Sequence, residues 1–253
     1  MNALLPTPIS TPLTGLQAQL SDAGWAVIEA AALRVLCGLT AESLPSWQGH
    51  WPALPPDRHL RDGGHYRRRR HGCFVVTPEA VQPVPHRAHW QPVDYNALHG
   101  GFQRWFDPLP EALAQDPAWA RLLQGLAGVA DTLRGQRPWF VEAHPFRIDT
   151  AGGIGRPTPE GAHRDGVDLV AVLIVARHNV KGGETRVFDA VGPQGVRFTL
   201  AEPGSALLLD DERVIHETTP IQPLDPALPA WRDTLVLTFR QGGFQGPEGD
   251  LTA

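Results

Sequence analysis

The sequence predicts a mainly β protein of the α+β kind, an antiparallel double sheet of jelly-roll type with helices packed outside its N-terminal side. Three observations predict it. Short strand-like runs follow one another over residues 139–148, 169–177, 185–188, 196–200, 206–209 and 234–239. Gly and Pro turns punctuate them at Gly152-Gly153, Gly182-Gly183, Gly192-Pro193 and Pro203-Gly204. Helical spacing, by contrast, is confined to the first half of the chain. Short strands at this spacing, joined by tight turns, pair most simply as stacked antiparallel sheets.

The elements follow in order. Residues 1–13 are rich in Pro and Thr and read as a flexible N-terminus. Apolar residues at Leu16, Ala18 and Leu20 predict a short helix over 14–23, stopped by Gly24. A strand over 25–28 and a helix over 30–39 come next. Residues 44–65 carry Pro, Gly and Trp and read as irregular. The run 66–76 begins with four arginines and ends in Cys-Phe-Val-Val, a strand with a charged start. Residues 78–95 are again Pro-rich. Leu122, Leu123, Leu126 and Val129 predict a helix over 118–133. Neither an internal repeat nor a clear linker is present. The expectation is one domain over 14–253, with a helical and irregular part (14–138) and a barrel core (139–242).

Composition sets the outer limits. Hydrophobic residues make up 42% of the 253, enough for a sizeable core, and 26 Gly with 25 Pro favour loops and strands over a bundle. The net charge of −5 opposes general nucleic-acid binding, which needs a positive surface. The two cysteines, Cys37 and Cys73, form no CxxC pair, so a zinc ribbon or disulfide scaffold is excluded. The first residues lack the basic start and apolar core of a secretory signal, and no apolar run is long enough to cross a bilayer. A cytoplasmic, reducing location is expected. The oligomeric state stays open, a homodimer included. Lys181 is the sole lysine, which excludes any mechanism needing a second.

The chemistry-bearing segment is Pro159-Glu-Gly-Ala-His163-Arg-Asp165-Gly166. In extended chain, residues two apart share a face, so His163 and Asp165 can aim an imidazole and a carboxylate at one point. His216 lies 51 residues on, after the apolar run ending at Leu209 and an acidic turn. Two histidines and one carboxylate on one face of a metal leave positions open for a co-substrate and oxygen. Eleven histidines are present, so chance alone supplies such matches; position at strand edges is what favours this one. A guanidinium matches a carboxylate in bidentate fashion. Arg232, 16 residues beyond His216, opens the strand Asp-Thr-Leu-Val-Leu-Thr-Phe239 and is the expected co-substrate anchor. Arg240 ends that strand and is the alternative. About 26 Å of strand separates the two, too far to share one small ligand.

Other signals weigh less. His163-Arg-Asp165 spells a kinase catalytic-loop motif, but Val170 stands where a kinase needs Asn, and no DFG or ATP-site lysine exists. The run Arg67 to Arg70 suggests nucleic acid, yet strand alternation turns only two of the four to one face. Arg67 and Arg69 are therefore candidates for a substrate carboxylate. Glu160 either orients a histidine or is a solvated loop acid. Glu184, beside the Gly182-Gly183 turn, can approach the site with Thr185. Ala151-Gly-Gly-Ile-Gly155 only superficially resembles a nucleotide loop, since no helix follows and Pro157 interrupts. Trp139 and Trp231 border strands near the site.

The stretches PTPEGAHRDGVDLVAVLIVARHNVKGGET, GSALLLDDERVIHETTPI and WRDTLVLTF together resemble the bacterial 2-oxoglutarate- and Fe(II)-dependent dioxygenases related to L-isoleucine 4-hydroxylase. The run Tyr66-Arg-Arg-Arg-Arg-His-Gly72 is similar to that family's arginine-rich stretch before the barrel. The likeness spans roughly residues 14 to 242. It implies a double-stranded β-helix, the cupin-like form of the jelly roll. It implies Fe(II) on His163, Asp165 and His216, 2-oxoglutarate on Arg232, and O2 as oxidant. The implied reaction is hydroxylation of a small molecule, a free L-amino acid above all, with release of succinate and CO2. Relatives act on aliphatic L-amino acids or methionine sulfur. His71 departs from the pattern, standing where an aromatic residue is expected. A metal-binding or stress-related module of the same fold is the alternative. A zinc hydrolase using the same ligands is disfavoured, because it has no need for a dicarboxylate anchor at Arg232.

Overall fold

A computed structural model describes residues 7–96, 98 and 100–247. The chain runs α1 (Leu16–Ala23), β1 (Trp25–Ile28), α2 (Ala30–Cys37), α3 (Ser43–Trp47), β2 (Arg67–Arg69), β3 (Gly72–Val76), β4 (Val81–Pro83), α4 (Glu111–Ala114) and α5 (Pro117–Arg134). The second half is all strand: β5 (Trp139–Asp149), β6 (Leu169–His178), β7 (Val180–Gly182), β8 (Thr185–Asp189), β9 (Gly195–Phe198), β10 (Ala206–Asp210), β11 (Val214–Thr218), β12 (Ile221–Pro223) and β13 (Trp231–Arg240). The large sheet has the order β1-β10-β6-β13-β5-β3-β4, with β2 also on β5. Opposite it lie β11-β8-β9 and β12-β7. All these pairings are antiparallel. This is a double-stranded β-helix with helices on its outer face.

Helix α5 starts where its sequence says it should. Asp116 accepts the Ala118 backbone N–H (2.8 Å) and Pro117 occupies the first turn, where its missing N–H costs nothing. Its buried side, with Trp119, Leu122, Leu123, Leu126 and Ala130, packs on the outer face of the large sheet. A Cβ at Gly125 would sit 2.7 Å from Cys37, so the α2–α5 contact needs a glycine there. Trp47 meets Trp119 edge to face at 5.6 Å.

The structure differs from the sequence expectation in the short elements β4, β7, β12 and α4, which no pattern marked, and in three further places, each with a physical reason. The run 66–76 is two strands, because Pro145 on β5 faces the gap between the Arg69 and Gly72 pairings and has no N–H to give. The chain steps away there, and His71 donates its backbone N–H to Asp107 (3.0 Å) instead. Strand β11 was hidden in the sequence by its brevity and by the polar residues of Val-Ile-His-Glu-Thr. The irregular stretch 44–65 holds a short helix and serves the sheet. Register shifts between Asp233 and Thr234 where β13 meets β6, leaving Val175 bulged. Gln48 donates to the Val175 carbonyl (3.1 Å), and the Trp51 indole donates to Phe146 (3.0 Å) and Thr234 (3.1 Å) carbonyls. Of the N-terminus expected to be flexible, residues 1–6 lie outside the described residues, while Thr11 donates its N–H to Val27 (2.7 Å).

Trp51 is fully buried, so Trp51→Phe leaves two carbonyls short of a donor without opening a large void. The expected cost is about 1–3 kcal/mol in denaturant unfolding, against well under 1 kcal/mol for Trp105→Phe at a half-exposed site.

Candidate functional site

Strands β5 and β13 pair over ten residues, and each has two faces. Val141, Ala143, Leu235, Leu237 and Phe239 turn outward into the helix-covered core. The alternate residues turn inward and line one chamber: Phe140, Glu142, His144, Phe146 and Ile148 from β5, and Arg232, Thr234, Val236, Thr238 and Arg240 from β13. Period-two alternation thus places a charged wall directly behind an apolar one.

His163, Asp165 and His216 meet in this chamber, with one ligand atom of each within 4.8 Å of the others. His163 and His216 exchange backbone hydrogen bonds (3.0 and 2.9 Å), which tie the loop before β6 to β11. Asp165 Oδ1 lies 3.9 Å from His163 Nε2, and its Oδ2 lies 3.8 Å from His216 Nε2. His163 donates Nδ1–H to the Gly161 carbonyl (2.9 Å), so Nε2 is the nitrogen that faces the cavity; burial pushes this imidazole down, but Asp165 and Glu160 outweigh it and raise it. Burial, helped by the nearby His163, holds His216 neutral, well below the usual imidazole range. Burial also raises Asp165, against the opposing pull of His163. Two imidazole Nε2 atoms and a half-buried carboxylate on one side of a point are a donor set for a divalent transition metal.

Asp211 holds this loop in shape. It is completely buried, and its carboxylate accepts the backbone N–H groups of Asp165 (3.0 Å), Gly166 (2.7 Å) and Val167 (3.1 Å). Gly166 sits at φ +76°, where a Cβ would also strike Tyr95 and Gln245. Gln245 donates to the carbonyls of Asp165 (3.0 Å) and Gly166 (2.8 Å) from the other side.

Arginines dominate the rest of the lining. Arg232 is buried, its Nε lacks a partner, and burial together with neighbouring Arg177 brings it down to about 9. Asp233 gives it no direct relief, since both its oxygens bond Arg147 (2.7 and 2.6 Å). Arg240, eight residues along, lines the far end of the chamber and donates to the Gly243 carbonyl (2.6 Å). Arg67 and Arg69 point inward, whereas Arg68 and Arg70 reach Asp149 and the Pro108 carbonyl. Glu160 also lines the chamber, 3.7 Å from His163 Nε2. Glu184 is not in the lining. Its carboxylate holds Arg186 (2.9 Å), and the turn that carries it bends away from the chamber. Trp139 and Trp231 are not in the lining either; Trp139 is core and Trp231 stacks on His178.

Sequence reasoning missed a group on the inner wall. His71, His89, Glu142 and His144 are all buried, with ligand-type atoms within 4.8 Å of one another. Their hydrogen bonds describe a proton network rather than a metal cage. Glu142 Oε2 is 2.6 Å from His89 Nδ1, shorter than the roughly 3.3 Å edge of a tetrahedral zinc site. Arg69 donates to His144 Nδ1 (2.7 Å), which puts the His144 proton on Nε2, the nitrogen facing Glu142. Burial pushes Glu142 up, but the three imidazoles outweigh it and hold the carboxyl ionised. Burial pushes His89 down to about 3, so it is neutral. His71 is part of this cluster and stacks on His144 at 5.0 Å, which explains an imidazole where an aromatic ring was expected. Only Glu142-x-His144 on one strand face hinted at it in the sequence.

A double-stranded β-helix with two histidines and a carboxylate at its mouth defines the class of non-haem iron oxygenases. The model of the 2OG-Fe dioxygenase family matches residues 48–238, and the chain belongs to that family. Fe(II) and 2-oxoglutarate are accordingly its metal and co-substrate. The chain is 55% identical to a bsmA homolog from Methylobium petroleophilum PM1, whose crystal structure superposes with a TM-score of 0.90 over 95% of this chain and 98% of that one. IDO from Bacillus thuringiensis shares the fold at 17% identity (TM-score 0.73, covering 92% and 99%). So does TqaL, an Fe(II)/α-ketoglutarate-dependent dioxygenase, at 21% identity (TM-score 0.70, covering 95% and 90%). No curated protein matches. No helix among the described residues is long and apolar enough to cross a membrane.

Asp211→Asn turns an amide N–H toward backbone donors that now meet a carboxylate oxygen. The expected loss is about 1–3 kcal/mol, read as a drop in Tm.

Proposed function

We propose that His163, Asp165 and His216 hold the iron, that Arg232 takes the distal carboxylate of 2-oxoglutarate, and that the enzyme hydroxylates a free L-amino acid. The observation that carries this reading is the joint facing of one chamber by the triad, by a buried unpaired Arg232, and by further charges of both signs. When bound, iron and 2-oxoglutarate supply oxidising power through loss of CO2 and formation of succinate. The chain's own part is placement. The Gly161 carbonyl holds the Nδ1–H of His163, which aims Nε2 inward. Arg232 is a guanidinium in want of an anion, and a carboxylate there relieves the burial that depresses it. Phe140, Phe146, Val172 and Val236 exclude water from the space between.

An amino acid suits the remaining charges. Arg67, Arg69 and Arg104 offer a carboxylate its donors, while Glu142 and Glu160 face the same space with the opposite sign. We take residues 14–253 as one dioxygenase domain. We place the enzyme in the cytoplasm, where Fe(II) and the two buried free thiols of Cys37 and Cys73 stay reduced.

The test is succinate release with Fe(II), 2-oxoglutarate and ascorbate across a panel of free L-amino acids, with mass spectrometry for a product heavier by one oxygen. Turnover with at least one amino acid is expected, and none above background across the panel overturns the assignment. His163→Ala is expected to abolish turnover. Arg232→Gln removes a charge-assisted pairing of about 1.5–3 kcal/mol, so the KM for 2-oxoglutarate rises roughly 10- to 100-fold with a smaller change in kcat.

A further inference from the structure

Gln91 lies between an arginine and the carboxylate proposed to bind iron. Its Nε2 donates to Asp165 Oδ1 (3.1 Å), while its Oε1 accepts from Arg104 Nη2 (2.8 Å) and Asn96 Nδ2 (3.1 Å). The amide has one workable orientation. Flipped, it would set an NH2 group against two donors and a carbonyl against a carboxylate. Gln91 is buried, so each of these bonds is made away from water.

At the other end of this link is a guanidinium with no carboxylate in direct contact, Asp57, Glu160 and Glu142 acting on it only from further off. Arg104 is 2% exposed, its Nε has no hydrogen-bond partner, and no carboxylate of the described residues pairs with it. Arg69 likewise has no carboxylate in direct contact, Asp57 and Glu142 acting on it only from further off. Its guanidinium is held between the Phe106 ring (3.9 Å) and the Phe146 ring (4.4 Å), and its one hydrogen-bond partner is the His144 imidazole. Arg67 differs, because Asp57 already neutralises it at 2.7 Å. Two buried cations in one chamber without direct anions are costly to leave so. They are also rigid: one is fixed by two rings, the other by an amide. Rigid, desolvated and unpaired guanidinium groups are what a carboxylate-recognition site requires.

We infer that Arg69 and Arg104 form the docking site for the substrate's carboxylate, and that Gln91 is a positioning residue linking that site to Asp165. This rests on the proposed roles of Asp165 and Arg232. A carboxylate on Arg104 competes with Gln91 Oε1 for the same guanidinium. The amide then adjusts, and with it the hydrogen bond that orients Asp165. Recognition of the substrate thereby reaches the metal through three side chains and no backbone movement. The chemical class selected is a small molecule with a free carboxylate, in preference to its ester, amide or amine counterpart.

The experiment uses the full chain with Fe(II) and 2-oxoglutarate under argon, and reads the visible charge-transfer band of that complex. The probes are the proteinogenic L-amino acids, their methyl esters and acetate. In the wild type at least one amino acid is expected to shift the band, and its methyl ester to bind at least tenfold more weakly. Arg69→Gln and Arg104→Gln each raise the Kd of that amino acid tenfold or more. Gln91→Met keeps binding within about threefold but loses most of the band shift; Gln91→Asn serves as the second variant where the first does not fold. Equal binding of acid and ester, unchanged Kd in both arginine variants, a full band shift in the Gln91 variants, or a band that no probe moves overturns the inference. Failure of the wild type to form any band has a different meaning: it removes the iron and 2-oxoglutarate assignment itself.

Discussion

The antiparallel pairing of β5 with β13 is the constraint on which the rest depends. A strand offers two faces and no more, and here ten paired residues must serve a core and a site together. The outward face carries Val141, Ala143, Leu235, Leu237 and Phe239 and is sealed by α5. The inward face is then free to carry Arg232, Glu142 and His144, because stability does not depend on it being apolar. A one-residue slip would bury the arginines in the helix interface and expose the leucines to the chamber. The bulge at Val175 works within this constraint. It changes register between Asp233 and Thr234, next to Arg232, and the Gln48 and Trp51 side chains satisfy carbonyls around it.

Charge in so enclosed a space has to be balanced locally, and the chain does this in three ways. Asp57 neutralises Arg67 by direct contact. Glu142 is balanced at one remove, through the His144 imidazole that also accepts from Arg69. Asp211 has only converging backbone N–H groups, which offset in part the burial and the nearby Asp165 that push it up to about 7. Arg232, Arg69 and Arg104, which no carboxylate contacts directly, and Asp165 are the groups proposed above to meet ligands and metal. The cost of burying them is met on binding, which concentrates affinity where the chemistry is placed.

How legible this was depended on whether a feature was local. The strand run from residue 139 onward announced itself through alternation and turns, and β5, β6, β10 and β13 lie where the pattern put them. His163 and Asp165 were readable because two residues in extended chain share a face. His216 was readable as a histidine but not as part of a strand, since β11 is five residues long and gains its place only by pairing with β8. Glu184 illustrates the converse. A Gly-Gly turn marks a bend in the chain without giving its direction, and Arg186, two residues on, captures the carboxylate on the outer side. The break at Arg70 and His71 was invisible for a related reason: its cause, Pro145, stands on another strand.

Gln91, Asn96 and Arg104 mark the limit of such reading. None belongs to a strand or helix, and nothing in Gln-Pro-Val-Asp-Tyr-Asn announces a contact with a carboxylate 74 residues away. The segment gains its meaning only once the sheet has closed and its polar groups must find partners out of water. The backbone pairing of His89 with Arg104 (2.9 Å each way) brings Gln91 and Arg104 together on the chamber wall. Most of the donors and acceptors it carries inward are then matched from what the barrel already presents, Arg104 Nε excepted. Asp165 is the acceptor within reach of Gln91, and Gln91 is the acceptor within reach of Arg104. Closing the chamber and connecting its two ends are therefore one structural event, set by the need to satisfy buried polar groups.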